Sequence, residues 1–299
     1  MNGVLIVDKP AGLTSHDVVN RVRRILGQRS VGHMGTLDPG ATGVLPVVVG
    51  SLTRLAQFYA HSEKTYEGVI RFGFSTDTYD AEGEATSDAV DVSLNLEDLR
   101  CVAAQFQGSV EQIPPPFSAK KIGGVPAYKL ARKKEVVELR PVRVEIREFT
   151  ILEAGDAEAA FRARVSSGTY IRSLAHEMGR TLGCGAHLAS LRRTAVAEFR
   201  IEDALTLDGV EAAMQQGTVE EMFVHPRLLV PELPCVTTTE ENAAFIRNGR
   251  AVNLPEMSQA PQVKVFCGQR ELIAIATRIA GTLFHPRIVF PAAALTRPG

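Results

Sequence analysis

Residues 31–50, VGHMGTLDPGATGVLPVVVG, constrain this chain more than any other stretch. Five glycines and two prolines surround one acid, Asp38, and an apolar run follows directly. Glycine at this density admits positive φ and close backbone approach, while Pro39 fixes φ and removes an N–H. The chain must make a tight, specific loop here and then enter a buried strand. An aspartate in such a turn ordinarily caps backbone N–H groups. It can equally be an acid held rigidly at the lip of a cleft, and the residues alone leave both readings open.

The flanking patterns set the fold class. Val4 to Val7 reads as a short buried strand, stopped by Lys9-Pro10-Ala11-Gly12. Thr14 or Ser15 can cap a helix whose apolar stripe is Val18, Val19, Val22, Ile25 and Leu26, with Gly27 as its stop. Tyr66, Ile70, Phe72 and Phe74 alternate with polar neighbours as a strand does. Helix spacing returns from Leu96 to Phe106 and again from Ile171 to Leu182, closed by Gly183. Val142 to Leu152 and Phe161 to Ser167 read as strands. Strands and helices mix without a regular β-α-β alternation, which predicts an α+β fold. Prolines at 226, 231 and 234 mark a change of composition, followed by short strands and a capped helix from Thr239 to Asn248. The division expected is 1–230 and a small β-rich domain, 231–299. A chain ending near Val230 is then expected to fold by itself.

Charge is balanced overall, 33 Lys+Arg against 34 Asp+Glu in 299 residues, so any contact with nucleic acid must rest on local charge. Residues 118–147 hold nine bases and three acids. They read as an arm lying on a phosphate backbone, or as a solvated hairpin; the excess of charge favours the arm. Four scattered cysteines with no C-x-x-C pair read as reduced thiols. With no leader or spanning helix to be found, the expected location is the cytoplasm.

Several chemistries drop out. Ala41 and Thr42 stand where a Walker A loop needs Lys and Ser/Thr. No G-x-G-x-x-G follows a strand. His176-Glu177 lacks the second zincin histidine, since Arg180 stands there. Cys184 and His187 have half the spacing of a zinc site and read as packing residues. Arg172, in SGTYIRSLAHEMG, is either a surface arginine or the counter-ion of a carboxylate.

At these residues the chain resembles a known family. GHMGTLDPGATGVLP is similar to the catalytic motif of the bacterial tRNA pseudouridine-55 synthases, the TruB family. The resemblance runs through VLIVDKPAGLTSHDVVNRVRR, EKTYEGVIRFGFSTDTYDAEGE, IPPPFSAKKIGGVPAYKLAR and SSGTYIRSLAHEMGRTLGCGAHLASLRRT, with a looser match in the C-terminal part. It implies a pseudouridine synthase catalytic domain followed by a PUA-like RNA-binding domain. It implies Asp38 as the catalytic aspartate, Tyr66 as the ring that stacks on the target base and Arg172 as the partner of the aspartate. Leu191 would pack against the tyrosine or base, and His33 would enter the space left by the extruded uridine. Residues 118–147, with Lys120, Lys121, Arg132 and Lys133, would close over the T-loop of tRNA. Lys134 departs from the family pattern, which has glycine there.

The implied reaction breaks the N1–C1′ bond of uridine, turns the uracil and joins C5 to C1′. It is an isomerisation, for which no metal or other cofactor is expected. A carboxylate can attack C1′, attack base C6 or take the 2′-proton, and the sequence does not choose. Flipping the base costs a few kcal/mol, and stacking on Tyr66 returns roughly 1–3 kcal/mol. The expected partner is the T-arm and T-loop of tRNA, bound by a monomer with no guide RNA, partner protein or membrane. The competing readings are a tRNA-binding or folding factor with secondary catalytic activity, and a guide-dependent synthase.

Overall fold

Both faces of the first apolar run are covered. Leu5 and Val7 face one buried cluster and Val4 and Ile6 another, so this strand is apolar without alternation. The computed structural model describes residues 1–118, 121–122, 125–126 and 140–291, with backbone alone for 121, 122, 125 and 126. Lys120, Arg132, Lys133 and Lys134 lie outside the described residues, and of Lys121 only the backbone is described. Within the basic arm expected at 118–147, residues 142–147 belong to a sheet strand, Val142–Gly155, where Arg147 pairs with Glu63 and Glu145.

In chain order the elements begin with β1 (Gly3–Lys9), α1 (Ser15–Leu26), β2 (Val31–His33), β3 (Thr42–Val49) and β4 (Lys64–Phe72). Next come α2 (Leu96–Ala104), β5 (Gly108–Gln112), β6 (Lys121–Ile122), β7 (Val125–Pro126), β8 (Val142–Gly155) and β9 (Glu158–Val165). Then follow α3 (Ile171–Leu182), β10 (Ala186–Val196), β11 (Phe199–Arg200) and α4 (Leu207–Gln215). The last part holds β12 (Cys235–Thr238), α5 (Glu240–Arg247), β13 (Val252–Asn253), β14 (Gln262–Cys267), β15 (Glu271–Ala280) and β16 (Leu283–Val289).

The helix boundaries follow local chemistry. Thr14 caps α1 in a reciprocal capping box with Asp17, and Gly27 ends it at φ 60°. Asn95 caps α2, Thr239 caps α5, and Gly183 ends α3 in the left-handed region. The strand read through Phe74 stops at Phe72, because Gly73 turns the chain at φ 107°.

The large sheet runs β1-β3-β10-β4-β9-β8-β5, with β2 added to β3 and β11 to β10. All its pairs are antiparallel except β3 with β10, which is parallel at Thr42–Arg192 and Gly43–Arg193. That parallel pair brings the loop after β2 beside the middle of β10, at Leu188 to Leu191. Helices α1 and α4 contribute Val18, Val22 and Val210 to the cluster over β1 and β3. Helices α2 and α3 contribute Leu99, Leu174 and Met178 to the cluster over β4, β8 and β9. This is the mixed α+β architecture expected.

The second sheet, β12-β14-β15-β16-β13, belongs to the C-terminal part. Its helix α5 covers one face through Ala243 and Ile246. The other face is not free. Phe266, Leu272, Ile275, Ile288 and Phe290 share one buried cluster with Val4, Ile6, Val44, Val48, Leu52 and Tyr59. The junction is also tied by polar groups. The N–H of Val230 donates to Tyr59 Oη at 2.8 Å and to Glu198 Oε1 at 3.2 Å. From the other side, buried Lys264 donates to Arg227 O at 2.9 Å and to Leu229 O at 2.5 Å. A chain cut near Val230, expected from sequence to fold by itself, would uncover this apolar face.

Candidate active site

The Asp38 loop is a tight turn fixed from below. Ala41 N–H returns to Asp38 O at 3.2 Å, closing a four-residue turn with Pro39 and Gly40 at its centre. Buried Ser15 accepts the Leu37 N–H at 2.8 Å and donates to the Leu37 carbonyl at 3.1 Å. Two buried cations hold the rest. Lys9 Nζ donates to Pro10 O, Leu13 O and Pro39 O at 2.9, 2.7 and 3.0 Å. Arg193 donates to Val44 O, Thr36 O and Gly35 O at 2.8, 3.1 and 3.0 Å. Gly43 (φ 101°) is required, because a Cβ there would lie 2.2 Å from the Arg193 carbonyl oxygen. Burial pushes the Lys9 ammonium down to about 8, against the pull of Asp38. Burial lowers Arg193 as well, and the neighbouring Tyr66 side chain opposes the shift.

Above this loop lies Arg172, second residue of α3. Its Nη2 pairs with Asp38 Oδ2 at 3.0 Å and its Nη1 with Asp80 Oδ2 at 3.3 Å. It also donates to Thr78 O at 3.2 Å and Phe117 O at 3.0 Å. The arginine side chain is 8% exposed and the Asp38 side chain 49%, so the cation is locked in the wall while the acid faces solvent. The start of α3 has no side-chain cap of its own. Gln112 serves instead, donating to Tyr170 O at 3.0 Å and accepting from Tyr170 N–H at 2.8 Å. Burial pushes the Tyr170 hydroxyl up, with Arg172 opposing and Asp38 adding.

Asp38, Arg172, Asp80 and Leu191 line one cleft of about 70 Å³, with Glu82 and Leu188 at its edge. The sequence-selected Asp38, Arg172 and Leu191 thus come together. Tyr66 does not line this cleft. It sits in β4 opposite Arg193, buried in the same cluster as Leu37, with Leu191 packed against that cluster. His33 is also outside the cleft, at the end of β2, where its Nδ1 accepts the Gly35 N–H at 3.3 Å. Burial, then Arg193, pushes its imidazole below the ordinary histidine range. Lys64, beside Gly35, is pushed down to about 8 by burial and by Arg193.

Four residues at the site were not singled out from sequence. Asp80 stands in an acidic stretch, residues 77–98, with eight acids and no base, and nothing there sets it apart. Lys9 reads as a strand stop, and Arg193 and Tyr170 carry no signal of their own. His187 and Cys184 pack as expected: His187 is buried and Cys184 lies against the α3 cluster. Among the described residues no group of three His, Cys, Asp or Glu side chains is placed to hold a metal.

Residues 23–171 match the TruB family pseudouridylate synthase N-terminal domain, and residues 172–231 match the tRNA pseudouridylate synthase B C-terminal domain. Asp38 and Arg172 thus fall in two adjoining family regions. The chain is 47% identical over 292 residues to tRNA pseudouridine synthase B of Solibacter usitatus, covering 97% of this chain and all of that one. It is 40% identical over 283 residues to the protein of that name in Bacillus cytotoxicus, covering 92% of each. Among solved structures it resembles a chain of an H/ACA RNP bound to a substrate RNA containing 2′-deoxyuridine, with a TM-score of 0.71 and 25% identity. That match covers 97% of this chain and 85% of the other. A chain of an archaeal box H/ACA sRNP matches with a TM-score of 0.69 and 26% identity, covering 97% and 86%.

Proposed function

The chain belongs to the TruB family of pseudouridylate synthases, and on that premise we propose that it isomerises the uridine at position 55, in the T-loop of tRNA, acting alone. Asp38 is the group that acts on the nucleotide. The observation that carries this reading is the pairing of an exposed carboxylate with a buried guanidinium, held at 3.0 Å inside a cleft. A buried cation with four acceptors around it is fixed in direction, so it orients the carboxylate at little cost at the moment of reaction.

The base leaves its stack and enters the cleft, where Leu188 and Leu191 supply an apolar wall. Asp38 attacks C1′, attacks C6 or takes the 2′-proton, and the N1–C1′ bond breaks. The uracil turns within the site and C5 joins C1′ as the bond to Asp38 breaks or, on the third route, as the 2′-proton returns; the proton lost from C5 is balanced by the one gained at N1. Tyr66 supplies the ring beneath the base, and His33 fills the space left in the T-loop. The basic stretch 118–147, with Lys120, Lys121, Arg132 and Lys133, lies on the T-arm backbone. Residues 231–299 form the PUA-like second grip on tRNA, the enzyme works as a monomer, and its compartment is the cytoplasm.

The test is direct. Pure protein is incubated with an unmodified tRNA transcript, and pseudouridine is mapped by position. Formation at position 55 without guide RNA or added protein supports the proposal. Tight binding without conversion would leave a binding factor, and conversion only with an added guide would leave a guide-dependent synthase.

A further inference from the structure

The turn that carries Asp80 is gripped twice by one helix. Tyr79 stands at φ 65°, a left-handed conformation that a bulky side chain rarely adopts. Its carbonyl accepts the Leu188 N–H at 3.0 Å, and Ala81 N–H returns to Leu188 O at 3.0 Å, which pins the turn to β10. From the opposite side Arg172 takes the Thr78 carbonyl and the Asp80 carboxylate. One helical turn further on, His176 lies flat against the Tyr79 ring, with centroids 3.8 Å apart and planes at 11°. Residues four apart share a helix face, so guanidinium and imidazole meet the same three-residue turn side by side. His176 Nδ1 is buried with no hydrogen-bond partner, so the imidazole is held there by ring contact and not by that nitrogen. Neither Tyr79 nor His176 lines the cleft.

We propose that Tyr79 and His176 are positioning residues, whose stacking holds a strained turn so that Thr78 O and Asp80 lock the Arg172 fork against Asp38. The inference rests on the reading of Asp38 and Arg172 as the reacting pair. Without the stack, residue 79 relaxes toward negative φ. The carbonyl before it and the carboxylate after it then move, and Arg172 loses two of its four acceptors. A displaced guanidinium no longer aims the carboxylate, and a shift of about 1 Å at such a site costs on the order of 10²-fold in rate.

The experiment measures single-turnover pseudouridine formation at saturating tRNA, alongside tRNA affinity and thermal melting. Tyr79→Ala is expected to slow the reaction about 10–100-fold while its tRNA affinity stays within roughly twofold of wild type. Tyr79→Phe keeps the ring and should react within about threefold of wild type, while Tyr79→Gly, which tolerates the backbone angle, falls between Phe and Ala. His176→Ala should match Tyr79→Ala, and the double variant should be no slower than either single, because one contact is lost in all three. If Tyr79→Ala proves poorly folded, His176→Ala and Tyr79→Gly carry the same comparison. Wild-type rates in these variants, or Tyr79→Phe as slow as Tyr79→Ala, would overturn the proposal. Asp38→Asn is run in parallel. If it reacts normally, the underlying reading of the site fails; if it is inactive while Tyr79→Ala runs at full rate, only the clamp fails.

Discussion

Cutting the chain after Val230 removes five of the seventeen buried residues of a shared core. The lost part supplies Phe266, Leu272, Ile275, Ile288 and Phe290 to the cluster, all less than 9% exposed. Burying a large apolar side chain is worth about 1.5–3 kcal/mol, so these five together represent on the order of 10 kcal/mol of burial across the interface. Roughly half of that is cover for the remaining fragment, about 5 kcal/mol, against a total stability of about 5–15 kcal/mol for an ordinary protein. The fragment also loses the Lys264 ammonium that caps Arg227 O and Leu229 O. The newly bare surface, built on Val4, Ile6, Leu52 and Tyr59, is contiguous and apolar, which drives association. Residues 1–230 are therefore expected to aggregate or to melt far below the full chain. The assay is gel filtration with static light scattering, followed by calorimetry of whatever is monomeric. Phe266→Ala in the full chain gives a graded version, with a cost of about 3–5 kcal/mol. A monodisperse 1–230 fragment melting within a few degrees of the full chain would refute the reasoning, and the interface would then be a contact of little energetic weight.

Asp38→Asn should abolish isomerisation, by at least ~10³-fold in single turnover, with tRNA affinity retained; activity within tenfold of wild type would reject Asp38 as the reacting group. Arg172→Lys should slow single turnover by about 10²-fold, because a point charge cannot meet two carboxylates and two carbonyls as the planar fork does; retained activity would show that charge alone suffices. Arg193→Lys strands at least one of the Gly35, Thr36 and Val44 carbonyls, and a lost bond to a charged donor costs about 1.5–3 kcal/mol, so the melting temperature should fall by roughly 5–10 °C. Lys64 carries the pH prediction. Its folded value is about 8 against an ordinary 10.5, so the unfolded chain binds the extra proton between those limits. Its contribution to stability is present above 10.5 and lost as pH falls through 8. Relative to Lys64→Met, wild type should therefore gain stability as pH is raised from 8 toward 10; parallel melting curves across that range would contradict the burial assigned to Lys64.

Much of this protein was legible in the chain because local patterns report local physics. The Thr14, Asn95 and Thr239 caps and the Gly27 and Gly183 stops bound helices where expected, since caps act on the backbone within one turn. The glycine-proline setting of Asp38 announced a specific turn for the same reason. The resemblance then named Arg172, Tyr66, Leu191 and His33 as residues to look for. Tertiary structure decided which of these share a cleft. Asp38, Arg172 and Leu191 do, while Tyr66 is buried in the core cluster with Leu37 and His33 ends β2, both outside the cleft lining.

It also decided what no local pattern contains. Asp80 joins Arg172 although 92 positions separate them, and nothing in an acidic run marks one member as partly buried beside a cation. Lys9 and Arg193 are charged residues that local sequence does not mark as buried, yet both end up at the Asp38 loop because β3 pairs with both of their strands, Gly43 standing opposite Lys9 in β1 and Arg193 in β10. The docking of the C-terminal sheet is of the same kind. Its central strands show as apolar runs to any reader of the sequence, but the partner of the second apolar face lies more than two hundred residues away, in β1 and β3. Hydrophobic patterning says that a face must be covered; only the folded chain says by what, because burial is a sum over contacts between distant segments.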